Sequence, residues 1–257
     1  MHPAAEKGFA REAVRYHQGR PDYPAAINEW LRITLDLQSG RQVLELGAGT
    51  GKFTARLAAT GAEVTALEPV KEMRKQITAM APQARVIHGY ADEIPAEDAS
   101  FDVVVCAQSF HWFATAEVLK EVHRVLKPHG RLGLIWNVRD FNTQWTKALT
   151  DITLTYEDGA PQYRTGAWRK VFPAAGFGPL MESRFDHAHV GSPENVIVDR
   201  TLSISYIAAL SSNEQQTVQA KIWDLIAKTP ELAGRSVVSF PYETFAFWCE
   251  KQGARVS

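Results

Sequence analysis

The sequence predicts an α/β fold built as a doubly wound, mainly parallel sheet. Three observations carry this. From Arg41 onward, short apolar runs alternate with amphipathic stretches. The run Phe101–Ala107 (FDVVVCA) is rich in Val and nearly unbroken, which suits a strand buried on both faces. The first apolar run leads straight into a glycine cluster, the usual join between a strand and the following helix in such sheets.

The elements follow in order. Gln42–Leu46 (QVLEL) is a strand candidate and Lys52–Ala59 a short helix. Glu63–Leu67 (EVTAL) is a second strand, Val70–Met80 a helix, and Arg85–His88 a short third strand. After the fourth strand, Val118, Leu119, Val122, Val125 and Leu126 recur at helical spacing within Ala116–Leu126. Lys127-Pro128-His129-Gly130 stops that helix, and Arg131–Trp136 (RLGLIW) is the fifth strand. Such βαβ units join parallel strands through right-handed crossovers.

Beyond Asn137 the rhythm changes. Asn142–Tyr156 and Ala167–Ala175 read as helices, the second ended by Gly176. Met181–Val190 reads as a strand. Pro193–Leu210 and Asn213–Lys228 are helical by spacing. Val237–Cys249 is aromatic and β-prone, with Pro241 marking a bend or a sheet edge. No internal repeat or low-complexity tract is present.

Composition narrows the function. The 257 residues are 45% hydrophobic and 22% charged, values of a globular chain. Lys and Arg number 28 and Asp and Glu 29, giving a net charge of −1 without a basic run. A dedicated nucleic-acid binder is therefore disfavoured. No apolar run reaches the ~20 residues of a membrane span, and the first residues lack an apolar signal core. Cys106 and Cys249 are the only cysteines, which suits a reducing compartment. The expectation is a cytoplasmic protein without stable membrane insertion, monomeric or homodimeric.

The segment Glu45-Leu46-Gly47-Ala48-Gly49-Thr50-Gly51-Lys52 carries the chemistry. A dinucleotide fingerprint, G-x-G-x-x-G, needs a third glycine where Lys52 stands. A P-loop, G-x-x-x-x-G-K-[ST], needs a glycine where Leu46 stands and a hydroxyl where Phe53 stands. The pattern present is E-x-G-x-G-x-G, in which bare backbone lets a ligand approach closely. The helix amide end near Gly51 would favour a carboxylate. Glu68, at the end of the second strand, is placed to accept bonds from ribose hydroxyls.

This loop resembles motif I of the class I S-adenosylmethionine-dependent methyltransferases. Further segments are similar to the same family. These are Gly89-Tyr90-Ala91-Asp92-Glu93-Ile94-Pro95, Ser100-Phe101-Asp102-Val103-Val104, and Glu121-Val122-His123-Arg124-Val125-Leu126-Lys127-Pro128-His129-Gly130, with His129 replacing a glycine. The likeness covers about Arg41 to Asn137. Tyr16-His17-Gln18-Gly19-Arg20-Pro21-Asp22-Tyr23-Pro24 and Ala107-Gln108-Ser109-Phe110-His111-Trp112-Phe113 resemble the methyltransferase type 11 (UbiE-like) branch that contains trans-aconitate methyltransferases.

The resemblance implies a Rossmann-like, seven-stranded sheet with an N-terminal arm and a helical cap insertion. It implies one methyltransferase domain over 1–257: an arm at 1–40, a cofactor core at 41–139, and a C-terminal part at 140–257 containing the insertion at 193–230. It implies S-adenosylmethionine as cofactor, held by Tyr16, Arg20, Glu45, Gly47, Ala48, Gly49, Gly51, Glu68, Pro69, Met73, Ala91, Asp92, Ala107 and Gln108. Asp92 is the position whose acid meets the adenine amino group. The implied acceptor is a small molecule with an oxygen, nitrogen or carbon nucleophile, a carboxylate among them. Its contacts fall to Tyr23, His111, Trp112, Arg139 and Tyr206.

His111 and Gln108 are the catalytic candidates, His111 either as a base or as a wall of the pocket. No metal set completes itself around His187 and His189. Two other readings share the fold: an enzyme that binds the cofactor without methylating, and a non-catalytic binding protein.

Overall fold

The computed structural model describes residues 19–157, 159 and 161–253. The elements, in chain order, are α1 (Ala26–Ile33), β1 (Gln42–Leu46), α2 (Lys52–Ala58), β2 (Glu63–Leu67), α3 (Lys71–Met80), β3 (Arg85–Ile87) and β4 (Phe101–Ala107). They continue with α4 (Ala116–Val125), β5 (Leu126–Arg139), α5 (Gln144–Leu154), β6 (Met181–Gly191), α6 (Ser212–Lys228) and β7 (Val238–Glu250). The strands form one seven-stranded sheet in the order β3-β2-β1-β4-β5-β7-β6. The pairs β1–β2, β1–β4, β2–β3 and β4–β5 are parallel. The α/β, doubly wound expectation holds.

The reasons are local. Every residue of β4 except Asp102 is buried, as an unbroken apolar run requires. Parallel register sets Leu46 beside Leu67, Glu45 beside Val105 and Ala107 beside Ile135. The carboxyl ends of β1, β2 and β4 therefore open on neighbouring loops. Asp102 of the Phe101-Asp102-Val103 segment is structural: its carboxylate accepts from Gln42 N at 2.8 Å, Lys127 Nζ at 2.8 Å and Arg41 Nη1 at 3.2 Å. Helix ends are capped where the sequence offers a hydroxyl. Thr115 caps α4, Thr143 caps α5, and Ser211 with Glu214 forms a capping box on α6.

Several expectations are corrected or refined. The fifth strand is longer than Arg131–Trp136: Lys127-Pro128-His129-Gly130 lies inside β5 as a bulge. Phe101 pairs with Leu126 and Val103 with Arg131, so the intervening residues loop out, and His129 takes a φ of 62°. Ala167–Ala175 is helical only in its first half: a 3₁₀ helix forms at Ala167–Val171, and Pro173 closes any continuation. Pro193–Leu210 is helical as expected but not one regular helix: a π-helical stretch at Glu194–Asp199 runs straight into an α-helical turn at Arg200–Leu202, and a second short helix follows at Ser205–Ala208. Finally, Pro241 does not lie at a sheet edge: it falls inside β7, which runs between β5 and β6. Its carbonyl still accepts from Asp140 N at 3.0 Å, which keeps the chain paired where the proline lacks an N–H.

The described residues cluster into two compact units. One holds residues 24–136, 161–185 and 245–253; the other holds 19–23, 137–159 and 186–244. We call them the loop unit and the C-terminal unit. The C-terminal unit has its own apolar core, including Trp145, Leu149, Ile197, Ile222 and Phe240. Within it, β6 alternates as a half-covered strand should, with His187 and His189 on its more buried face. No helix among the described residues is long and apolar enough to cross a membrane.

Candidate functional site

The glycine loop joins β1 to α2. Gly47 N and Ala48 N both donate to Leu67 O, at 2.9 and 3.2 Å, tying the loop to the end of β2. Gly47, Gly49 and Gly51 have φ of 68°, 59° and 88°, a region that side chains disfavour. Their surroundings differ. A Cβ on Gly47 would lie 2.8 Å from Ser109 Cβ, and one on Gly51 would lie 2.9 Å from Ile77 Cα. A Cβ on Gly49 would meet nothing within 4 Å. Packing explains two of the glycines; the third lines open space.

Glu68 grips this loop. Its Oε2 accepts from Gly49 N and its Oε1 from Val70 N, each at 2.9 Å. Burial pushes its pKa up to about 6, although those two N–H bonds and Arg74 act in the opposite direction. Arg74 Nη1 donates to the carbonyls of Glu68 and Pro69, so the turn after β2 is fixed. Each carboxylate oxygen keeps a lone pair for a further donor.

Glu45, on β1, is also buried. It accepts from Thr54 Oγ1 at 2.6 Å, and its Oε1 has no partner among the described residues. Burial, with the Glu68 charge as a smaller addition, pushes its pKa up to about 8. It is therefore mostly protonated at neutral pH. Met73 is buried on α3, and Ala48 and Ala91 are buried at the loop and at the turn after β3.

Asp92 is exposed on that turn. The turn is clamped from α4: Ile94 N donates to Glu121, and Arg124 bonds the carbonyls of Ile94 and Ala96 as well as Glu121 and Asp98. The Glu121-x-x-Arg124 spacing is thus a clasp on the loop that carries Asp92.

The end of β4 supplies the third group. Ala107 is buried, and Gln108 N donates to Ile135 O at 2.8 Å with a φ of 60°. A non-glycine residue in that region marks a constrained site. Ser109 Oγ donates to Leu46 O at 2.7 Å, bracing the glycine loop from behind. His111 and Trp112 are half-buried in the turn that follows.

Trp136 Nε1 donates to His111 Nδ1 at 3.0 Å. An indole can only donate, so Nδ1 is the accepting nitrogen and Nε2 of the neutral ring carries the proton. Behind them lies an aromatic cluster: the Trp136 and Trp168 ring centroids are 4.5 Å apart, and Tyr163 and Phe247 also contact Trp136. Sequence reading missed Ser109 and Trp136. The signal available for Trp136 was its place at the carboxyl end of the RLGLIW run.

The loop unit therefore gathers Glu45, the glycines, Glu68, Pro69, Met73, Ala91, Asp92, Ala107, Gln108, His111 and Trp112 on loops and elements at the carboxyl side of β1–β4. Arg20, Tyr23, Arg139 and Tyr206 belong to the C-terminal unit. Arg20 Nη2 donates to Ser203 O at 3.0 Å, Tyr23 is buried, and Arg139 and Tyr206 are half-buried. Tyr16 lies outside the described residues. Arg200 and Tyr242, which join Arg139 in that unit, carried no signal in the sequence.

Residues 44–134 match the family model of a methyltransferase domain. The chain is 38% identical over 253 residues to a methyltransferase-like protein of Schizosaccharomyces pombe (strain 972) named as uncharacterized, covering 97% of each. It is 35% identical over 236 residues to an uncharacterized methyltransferase of Mycobacterium tuberculosis (strain H37Rv), covering 92% of each. The solved YcgJ protein of Bacillus subtilis superposes with a TM-score of 0.56 at 17% identity, over 90% of this chain and 100% of that one, a likeness of fold. With its glycine loop, sheet order and near full-length relatives in accord, the chain belongs to the class I S-adenosylmethionine-dependent methyltransferase family.

Proposed function

We propose that the chain, as a single methyltransferase domain over 1–257, transfers a methyl group from S-adenosylmethionine to a small-molecule acceptor in the cytoplasm. The observation that carries this reading is the difference among the three glycines. Gly47 and Gly51 are required by their neighbours, whereas Gly49 borders open space beside the Glu68 carboxylate.

Gly47–Gly51 with Glu45, Pro69, Met73, Ala91, Ala107 and Gln108 would hold the cofactor; Glu68 would take the ribose hydroxyls and Asp92 the adenine amino group. Arg20 and Tyr16 are the remaining candidates. Bound there, the cofactor supplies a sulfonium methyl open to in-line attack. The chain aligns the acceptor and excludes water.

His111 serves best as a donor. Its Nδ1 accepts from Trp136, so in the neutral ring Nε2 carries a proton, the group that would donate to an acceptor oxygen. A carboxylate acceptor, already ionised, needs no base. Gln108 adds a polar contact and Trp112 a wall, with Tyr23, Arg139 and Tyr206 as further acceptor contacts.

The test is calorimetric titration with S-adenosylmethionine, followed by label transfer from the cofactor to a panel of small acids, phenols and amines. Binding and a labelled product are expected; absence of cofactor binding sinks the reading. On the labelled product, His111→Gln, which keeps a donor, should retain most of the rate. His111→Ala should lose about tenfold or more. Equal losses in both, with a wild-type rate step near pH ~6.5, assign His111 as a base instead.

A further inference from the structure

The C-terminal unit encloses two guanidinium groups that meet no carboxylate among the described residues. Arg200 is 8% exposed; its Nε donates to the Tyr242 hydroxyl at 3.0 Å, and its Nη1 is enclosed with no acceptor among the described residues. Arg139, from the end of β5, lies with its guanidinium 5.7 Å from the centroid of the Phe240 ring. Its Nη2 is likewise enclosed without an acceptor among the described residues. Burial, and then the charge of Arg200, pull the Arg139 pKa below its ordinary value.

The ionisable groups that act on Arg139 are Arg200, Tyr242 and Tyr206. Those that act on Tyr242 are Arg200, Arg139 and Arg20. Burial alone would raise the tyrosine pKa, but these cations outweigh it and lower it. Among the described residues, no carboxylate figures in either set.

Guanidinium groups do not shed their protons, so burial cannot be relieved as it is for a buried acid. An enclosed, uncompensated charge is costly, and such charges are ordinarily found paired. Here each of two adjacent arginines has one enclosed N–H group without an acceptor among the described residues, with a tyrosine hydroxyl between them. Two positive charges call for two negative ones.

We propose that Arg139 Nη2, Arg200 Nη1 and the Tyr242 hydroxyl form a binding site for a small dianion, the shared chemistry of a dicarboxylate and a phosphate group. The arginines donate charge-assisted hydrogen bonds to its oxygens, and Tyr242 is the third contact. The site rests on its own residues. Only its use as an acceptor site for methyl transfer rests on the function proposed above.

The experiment is calorimetric titration of the full chain with succinate, with inorganic phosphate and, as the uncharged counterpart, with succinamide. The site predicts that at least one dianion binds, that succinamide does not, and that Arg200→Gln and Arg139→Gln each weaken binding by about thirtyfold or more. The dianion that binds identifies the source. If a variant fails to fold by circular dichroism, Arg200→Lys and the rise in wild-type Tm with dianion but not with succinamide carry the test.

Wild-type protein that binds neither dianion, or folded variants that bind as tightly as wild type, overturns the site. S-adenosylmethionine binding is titrated in parallel. Its absence overturns the methyl-transfer reading and leaves this site standing.

Discussion

Glu45 and Glu68 in the loop unit, and Arg139 and Arg200 in the C-terminal unit, are buried charges that the two units handle differently. Glu68 spends its carboxylate on two backbone N–H groups. Glu45, lacking such donors, keeps its proton, with a pKa near 8. The arginines have neither remedy: they cannot discharge, and each retains an enclosed N–H group with no acceptor among the described residues. The contrast teaches that a buried acid can shed its charge by keeping a proton, as Glu45 does, whereas a buried arginine keeps its charge and is completed by what binds it.

The comparison can be broken at its strongest point first. Gly51→Val puts a branched side chain at a φ of 88° and against the Ile77 backbone, which should cost about 4 kcal/mol or more. Gly49→Ala meets no neighbour and should cost only the ~1–2 kcal/mol of its left-handed backbone, while weakening cofactor binding. Denaturant unfolding of both, with calorimetry on the second, checks this. Equal destabilisation would mean that Gly49 is a packing glycine too.

Glu45→Gln sharpens the acid side. A folded pKa raised from 4.5 to about 8 gives stability that is fully present below the unfolded value and drains as pH rises to about 8. The variant lacks that loss. Its Tm should match wild type below pH ~4 and exceed it by an amount worth about 2–4 kcal/mol at pH ~9, with a plateau above pH ~8.

Arg200→Met tests the basic side and carries the smallest effect. An apolar residue of similar length should stabilise the protein by about 1–2 kcal/mol, equally from pH ~5 to ~9, because arginine does not titrate there. A loss of stability would mean that Arg200 is already paired and that the contrast fails.

Much of the loop unit could be read from the chain because its requirements are local. The Val-rich run of β4 and the alternation around it specify a buried strand. Gly47, Gly49 and Gly51 each sit where the backbone demands glycine, within five residues of one another. The C-terminal unit offers no such economy. Arg200 and Tyr242 are 42 residues apart, and only the folding of β7 beside β5 joins them to Arg139.

Periodicity is only a partial guide beyond Asn137. Ala167–Ala175 has helical composition, but Pro173 lacks the N–H a helix needs, so only its first half is helical, and the segment places Trp168 against Trp136. Pro193–Leu210 is helical as its spacing predicts, but a π-helical stretch at Glu194–Asp199 buries Val196, Ile197 and Val198 side by side, which regular helical spacing does not foretell.

The bond from Trp136 to His111 has a consequence in optics. Trp136 is fully buried, so its emission comes from a dry environment, and its indole proton is held by the His111 ring. A second indole, Trp168, stands within energy-transfer reach. The chain thus carries an intrinsic fluorophore wired to the residue at the centre of its proposed chemistry, and events at His111 can be followed without attaching a label.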